Sequence, residues 1–266
     1  MPYVGRFSIA QLEEPATESE VITRLPYTQY DRHYKRVGNV PLDYPTVKAN
    51  PDKYRIYGEW LPKEPTAAIL DIGCGWGNLL LCLWATGYRN LTAVDVSEAM
   101  CAIARANLPS EISVNCADAT AFLETRQRTY DLITIFDMIE HVSVDMARTL
   151  LELCRDALAP GGSVVIRTPN MANLLSAYSM YIDITHVQGY TEYSLFQLLD
   201  LARFVNHRMV QLRFFESRQG LSRLFGGLSK RDLMNAIVHR MFFALRGQLP
   251  VPTSFDYNIT VQSFKP

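Results

Sequence analysis

From position 67 onward, short apolar runs alternate with longer amphipathic ones. Runs of strand length fall near 67–72, 91–95, 112–116, 130–136 and 163–167, and the apolar spacing elsewhere predicts helices near 77–87, 98–107, 145–158 and 191–203. Strands alternating with helices predict a parallel sheet covered on both faces. Pro160-Gly161-Gly162 predicts a turn into the fifth of these strands, and the alternating run at 256–264 predicts a last strand.

Two stretches do not follow the alternation. Residues 1–25 are polar and acidic (Glu13, Glu14, Glu18, Glu20), which predicts a loose arm. Residues 26–65 mix Tyr27, Tyr30, Tyr34, Tyr44, Tyr54, Tyr57 and Trp60 with Arg32, His33, Lys35, Arg36, Lys48, Lys53 and Arg55, broken by prolines at 26, 41, 45 and 51. Such a surface can stack on a ring and hold a phosphate or carboxylate, or it can simply wrap the core. The second stretch, 213–250, carries Leu233, Met234, Ile237, Val238, Met241, Phe242 and Leu245 on one helical face, with seven Lys/Arg against two acids over 213–246. A basic amphipathic helix can lie on an anionic membrane, so 229–246 is a candidate peripheral membrane contact; a lid or a homodimer helix is the plainer reading.

The most informative segment is Ile69-Leu-Asp-Ile-Gly-Cys-Gly-Trp-Gly-Asn78, an apolar strand ending in an acid and alternating glycines before a helix. Glycines at 73, 75 and 77 permit positive φ and close approach of a ligand to the main chain. Asn78 stands where a dinucleotide fingerprint has its third glycine. Asp71 before the turn and Asp95 at the end of the next strand suit a ligand with a cationic amine and a ribose diol rather than a pyrophosphate.

With these motifs the segment 60–169 resembles the class I S-adenosylmethionine-dependent methyltransferases. The resemblance implies an α/β, doubly wound, mostly parallel seven-stranded sheet (Rossmann-like). An N-terminal arm and lid over 1–65 would precede a methyltransferase domain over 66–266, with a helical insertion before an antiparallel last strand. It further implies S-adenosylmethionine as cofactor, held by Asp71, Gly73, Cys74, Gly75 and Gly77, with Asp95 and Val96 at the ribose and Asp118 and Ala119 at the adenine. Phe136 and Asp137, after the fourth strand, would face the methyl donor. The segment lacks the Asn/Asp-Pro-Pro-Tyr/Phe motif of amide and nucleobase N-methyltransferases, and a net charge of −1 gives no reason to expect nucleic acid.

Methyl transfer to a hydroxyl needs a base, and histidine has the right acidity near neutrality. His186, beside Asp183 in Asp183-Ile-Thr-His186, is the first candidate and His141 the second. Asp137-x-x-Glu140-His141 resembles the Glu-x-x-Glu-His of ubiquinone-pathway O-methyltransferases, in which a divalent ion has been implicated; Mg²⁺ is possible here, but a strand-end acid with a capping histidine is favoured. The downstream pattern around Asp183–His186, Tyr190-Thr191 and Asn258-Ile-Thr-Val261 resembles methyltransferases of bacterial surface-polysaccharide biosynthesis. That likeness implies a sugar-hydroxyl acceptor, as a nucleotide sugar or lipid-linked glycan, touched by Tyr30, Arg32, Tyr34, Arg36, Asn170 and Tyr190. A phenolic or quinone-pathway acceptor is the alternative, followed by a phosphate or amino sugar, and a cofactor-binding scaffold is the reading from outside enzymology.

The composition fits one ordinary globular domain: 266 residues, 48% apolar and 20% charged. Five cysteines without a C-x-x-C pair read as reduced thiols of a cytoplasmic protein, working at most at the inner membrane face. No apolar signal core opens the chain, and no run reaches the ~18 apolar residues of a membrane span.

Overall fold

The computed structural model describes residues 30–214 and 252–266, together with 237, 238, 240, 241, 243 and 244. In chain order the elements are α1 (Tyr30–Arg36), α2 (Tyr44–Ala49), α3 (Pro51–Tyr54), β1 (Ile56–Tyr57), β2 (Ile69–Ile72), α4 (Asn78–Thr86), β3 (Leu91–Asp95) and α5 (Glu98–Asn107). There follow β4 (Ser113–Cys116), α6 (Ala119–Leu123), β5 (Tyr130–Phe136), a 3₁₀ turn (Ile139–His141), α7 (Val144–Ala157), β6 (Leu158–Pro169) and α8 (Ser176–Tyr181). The last elements are α9 (Glu192–Leu201), β7 (Val205–Met209), β8 (Arg213–Phe214) and β9 (Asn258–Phe264).

Seven strands form one sheet in the order β4-β3-β2-β5-β6-β9-β7. All neighbours are parallel except β9, which runs antiparallel to both β6 and β7. The chain steps outward from β2 through β3 to β4 and then returns to β5 on the other side of β2. The strand order therefore reverses around β2, and the carboxyl ends of β2, β3 and β5 open the crevice where such sheets place ligands.

Period-2 alternation explains how the sheet is covered. Leu70, Ile72, Ile133, Ile135, Val164 and Ile166 join the core beneath α6, α7 and α9, whereas Ile69, Leu132 and Val165 join the core beneath α4 and the N-terminal segment. Each such side chain contributes roughly 1.5–3 kcal/mol by leaving water. Polar caps fix where helices start: Ser97, Ser143 and Thr191 accept from the backbone N–H of Met100, Met146 and Ser194 respectively. α4 has no side-chain cap; it starts from Gly77, at φ 82°, and its first N–H groups remain available to a ligand.

Several details differ from the sequence reading. Pro160-Gly161-Gly162 lies within β6, as an irregularity that shifts its register against β5 between Tyr130 and Leu132. β7 and the two-residue pair β1–β8, which ties the N-terminal segment to the start of the insertion, are additional. Val47, Ile56 and Trp60 are buried against the sheet, so 44–60 forms part of the core, and α1 stands apart over the crevice. The arm 1–25, Tyr27 and most of 213–250, including Leu233, Met234, Phe242 and Leu245, lie outside the described residues. Within the insertion beyond β8 the described positions are helical; Val238 is buried but Ile237 and Met241 are exposed, so the expected apolar face is only partly covered. Among the described residues no helix is long and apolar enough to cross a membrane.

Candidate functional site

The glycine turn after β2 takes left-handed backbone angles at all three glycines, with φ of 71°, 53° and 82° at Gly73, Gly75 and Gly77. They serve different ends. A Cβ on Gly77 would lie 2.8 Å from Leu108, and one on Gly73 would lie 2.8 Å from Met138, so both are demanded by packing. A Cβ on Gly75 would meet nothing within 4 Å, so this glycine keeps the backbone open to a cavity. That cavity, about 460 Å³, is lined by Asp71, Gly73, Cys74, Gly75, Trp76, Phe136 and Arg167, with Tyr34, Val40, Leu42 and Tyr54 among the residues closing it from the N-terminal side. Asn78 fastens this cover to the turn: its Oδ1 accepts from Leu42 N at 2.8 Å and its Nδ2 donates to Val40 O at 3.0 Å.

Two buried acids flank the turn. Asp95 accepts from Gly75 N at 2.9 Å and Ser97 N at 2.8 Å; burial raises its pKa, and these N–H donors draw it back. Asp71 accepts one side-chain hydrogen bond, from Thr134 Oγ1 at 2.7 Å, and burial pushes its pKa up to about 7. A buried carboxylate with so few donors is suited to a cationic ligand group. Ala117 N donates to Asp95 O, which draws 118–119 alongside 95–96. Asp118 does not close a strand; it caps α6, its Oδ1 accepting from Thr120 N and Ala121 N. Asp71, Gly73, Cys74, Gly75 and Phe136 line the cavity, whereas Gly77, Asp95, Val96, Asp118 and Ala119 are not among its lining residues.

Asp137 has φ 52° and is engaged by Arg167, whose Nε donates at 3.0 Å and whose NH2 group also donates; the guanidinium lies over the Phe136 ring, 4.9 Å from its centroid. This pairing removes Asp137 from the carboxylate-histidine metal set that the sequence suggested. The groups brought together instead are Glu140, His141 and His186, each offering one atom within 4.8 Å of the others, a set that could hold a divalent ion. Glu140 is buried, accepts from Thr168 Oγ1 at 3.0 Å, and has its pKa raised by that burial.

The two histidines differ in their bonding. Thr185 Oγ1 donates to Asp183 Oδ1 at 2.7 Å and so accepts from His141 Nδ1 at 2.7 Å, which assigns the proton of the neutral ring to Nδ1. His141 Nε2 then lies 3.3 Å from Tyr30 OH, whose one proton is shared between this nitrogen and the Asp183 carboxylate, and burial, followed by the neighbouring His186, lowers the His141 pKa to about 4. His186 Nδ1 lies 3.1 Å from Ser179 O and 3.2 Å from Met180 O, so it carries a proton and leaves Nε2 as the lone-pair nitrogen. The rings meet edge to face at 4.7 Å. Asp183 does not orient His186 as the sequence suggested; it holds Thr185 and pairs with His33 at 3.1 Å. Burial opposes its ionisation, yet the Thr185 donors bring its pKa below the usual range.

A second cavity, about 860 Å³, lies between α1 and the 176–185 segment, lined by Tyr30, Arg32, His33 and Arg36 on one side and by Tyr178, Ile182 and Ile184 on the other. Tyr30 and Tyr34, one helical turn apart with ring centroids at 5.9 Å, make α1 a wall of both cavities. Neither His141 nor His186 lines either cavity; they stand behind Tyr30 and Thr185. Asn170 and Tyr190 are likewise in neither. Asn170 is buried and donates to Ser254 O and Asp256 O, anchoring the approach to β9, and Tyr190 belongs to the core. Thr134, Arg167, Trp76, Thr185 and His33 are the site residues the sequence did not select. Thr134 and Arg167 carried a signal, since each interrupts an otherwise apolar strand.

The seven-stranded order and the glycine turn are those of the fold shared by class I S-adenosylmethionine-dependent methyltransferases. Residues 69–162 match the family described as "Methyltransferase domain". A ubiquinone biosynthesis O-methyltransferase of Aromatoleum aromaticum is 32% identical over 118 residues, 42% of this chain and 49% of that protein. One of Pseudomonas aeruginosa is 36% identical over 105 residues, 38% of this chain and 44% of that protein. The chain thus spans under half the length of these relatives. Among solved structures, a Thermotoga maritima S-adenosylmethionine-dependent methyltransferase described as a possible histamine N-methyltransferase aligns at TM-score 0.58 and 15% identity, covering 92% of this chain and 100% of that one. Human N-acetylserotonin methyltransferase in complex with S-adenosylmethionine aligns at 0.56 and 14%, covering 95% and 60%. These two show the fold. None of these comparisons points to surface polysaccharide, and the sugar acceptor expected from the sequence is not supported.

Proposed function

We propose that this protein is an S-adenosylmethionine-dependent O-methyltransferase whose acceptor is the hydroxyl of a small phenolic molecule, with His186 as the base. The observation that carries the base is its bonding: Nδ1 is committed to two carbonyls, and Nε2 has no hydrogen-bond partner among the described residues. The names of the matched relatives favour the phenolic acceptor over the sugar.

The cavity beneath the glycine turn fits the cofactor by its own chemistry. Gly75 leaves the backbone bare, Asp71 is a buried acid with a single side-chain donor, and Asp95 lies against the turn. Asp71 would hold the amino end, Asp95 the ribose, and Asp118 with Ala119 the adenine. When bound, S-adenosylmethionine supplies an electrophilic methyl on a sulfonium, a good leaving group. The chain's own work is to position and to take one proton. Burial and the neighbouring His186 keep His141 neutral, Thr185 fixes its tautomer, its ring steadies His186, and Tyr30, Tyr34 and Trp76 exclude water from above.

The test is transfer of labelled methyl from S-adenosylmethionine to catechol, with UDP-glucose as the competing acceptor. We expect a singly O-methylated catechol and no labelled sugar. Labelled sugar, or no labelled phenol from protein that binds S-adenosylhomocysteine, would reject the phenolic acceptor.

A further inference from the structure

The outer cavity has a chemistry that the methyl-transfer reading does not use. On α1, Arg32 and Arg36 are four residues apart, hence on one helical face, and both line the cavity. The other charges nearby are matched: Lys35 pairs with Asp31 at 3.5 Å, and His33 with Asp183 at 3.1 Å. Asp183 is the cavity's one acid, and it already holds His33 and both donors of Thr185. Among the described residues Arg32 and Arg36 have no acid partner. The opposite wall is apolar and open to water, with Ile184 93% exposed and Tyr178 65% exposed. Two unmatched guanidiniums facing an apolar wall are complementary to an amphipathic anion. Arginine's planar fork is well shaped for a carboxylate or phosphate.

Resting on the acceptor reading above, we propose that this cavity is an acceptor subsite for an acidic group. The acceptor is an aromatic molecule bearing a carboxylate or phosphate, which Arg32 and Arg36 hold, while its apolar body lies against Tyr178, Ile182 and Ile184. Its hydroxyl end is directed to the inner wall of Tyr30 and Thr185, the residues that bond His141. Arg32 and Arg36 thereby set acceptor specificity without touching the reacting atoms.

Three probes with one ring and different tails test this: 3,4-dihydroxybenzoate, 3,4-dihydroxybenzyl phosphate and the neutral 3,4-dihydroxybenzyl alcohol. Each is titrated calorimetrically into the full chain, with and without S-adenosylhomocysteine. At least one anion should bind about 10-fold tighter than the alcohol, as expected for a charge-assisted bidentate contact. Whichever anion gains more identifies the acidic group. The double variant Arg32→Gln/Arg36→Gln should bring the anions to the level of the alcohol and leave S-adenosylhomocysteine binding unchanged. The lysine pair should restore part of the difference. Equal binding of all three probes by the native chain, no binding of any, or an anion preference that survives in the glutamine variant overturns the proposal. Failure of S-adenosylhomocysteine to bind is a separate result that counts against the methyltransferase reading, because the probe titrations without it still report on the subsite.

Discussion

The two cavities that share α1 are built by different means. The inner one is organised on backbone, with positive φ at three alternate glycines and the free N–H groups at the start of α4, and near neighbours of that turn such as Asp71 and Trp76 complete its floor. The outer one is made from side chains that reach across the chain. Tyr30 meets His141 across 111 positions, and His33 meets Asp183 from α1 to the segment before α9. A ligand site common to a large class can be fixed by backbone, whose donors no substitution removes. A site that differs between members is more readily built from side chains, which substitution can alter.

Removing the imidazole of His186 is the severest way to break this division. With His186→Ala, kcat on catechol should fall by roughly 10²–10⁴-fold, the usual worth of a general base, while S-adenosylhomocysteine affinity stays constant. An equal loss of cofactor affinity would mean that the two halves are one. The reverse experiment is Asp95→Ala. It removes the carboxylate proposed to accept from the ribose hydroxyls, a charge-assisted bond being worth about 1.5–3 kcal/mol, so S-adenosylhomocysteine should bind roughly 10- to 100-fold more weakly. Calorimetry reads this directly.

A pH series sharpens the contrast at smaller amplitude. Asp71 has a folded-state pKa near 7, above its unfolded value of 3.8, because burial outweighs the Thr134 hydrogen bond; Asp95 raises it further and Arg167 lowers it. Between pH 4 and 7 the unfolded chain has released this proton and the folded chain has not. Stability from this group therefore falls as pH rises through that window and levels off above it. Asp71→Asn should flatten this part of the melting-temperature profile, which scanning calorimetry checks. A ligand ammonium favours the ionised form, so S-adenosylhomocysteine binding near pH 6.5 should release up to one proton, measured from the buffer dependence of its enthalpy. The variant should release less. The smallest effect expected is that of Tyr30→Phe, which removes a hydroxyl shared by His141 and Asp183, a hydrogen bond of this kind being worth about 0.5–1.5 kcal/mol. Turnover should drop several-fold, with cofactor affinity unchanged.

The same division decided what could be read from the sequence. The central strands and major helices were legible because their apolar periods dominate each segment, whereas β7, Val-Asn-His-Arg-Met, has little apolar alternation and a positive φ at Asn206. The glycine turn and its acids were legible because a few neighbouring residues specify them. On the acceptor side, closeness in sequence misled. Asp183 and His186 looked like a pair, but the turn between them places Thr185 on Asp183 and turns His186 toward the carbonyls of α8. Asp137 looked like a ligand of its neighbours, but its partner is Arg167, on the next strand of the sheet. Asn170 and Tyr190 lie beside a strand end where ligands are expected, yet they serve the anchoring of β9 and the core.

A consequence follows from α1. Tyr34 packs edge to face on Trp76 of the glycine turn at 4.9 Å, and Tyr30, one turn away on the same short helix, reaches His141. Seating one end of a seven-residue helix seats the other. A molecule that binds more tightly with α1 in place therefore favours the same posture for whatever binds on the far side. Thermodynamic linkage makes the effect mutual: the factor by which S-adenosylhomocysteine improves phenol affinity must equal the factor by which the phenol improves its own. Substrate order and synergy would then be properties of one helix, and a four-state binding cycle that closes with equal factors on both sides would measure them.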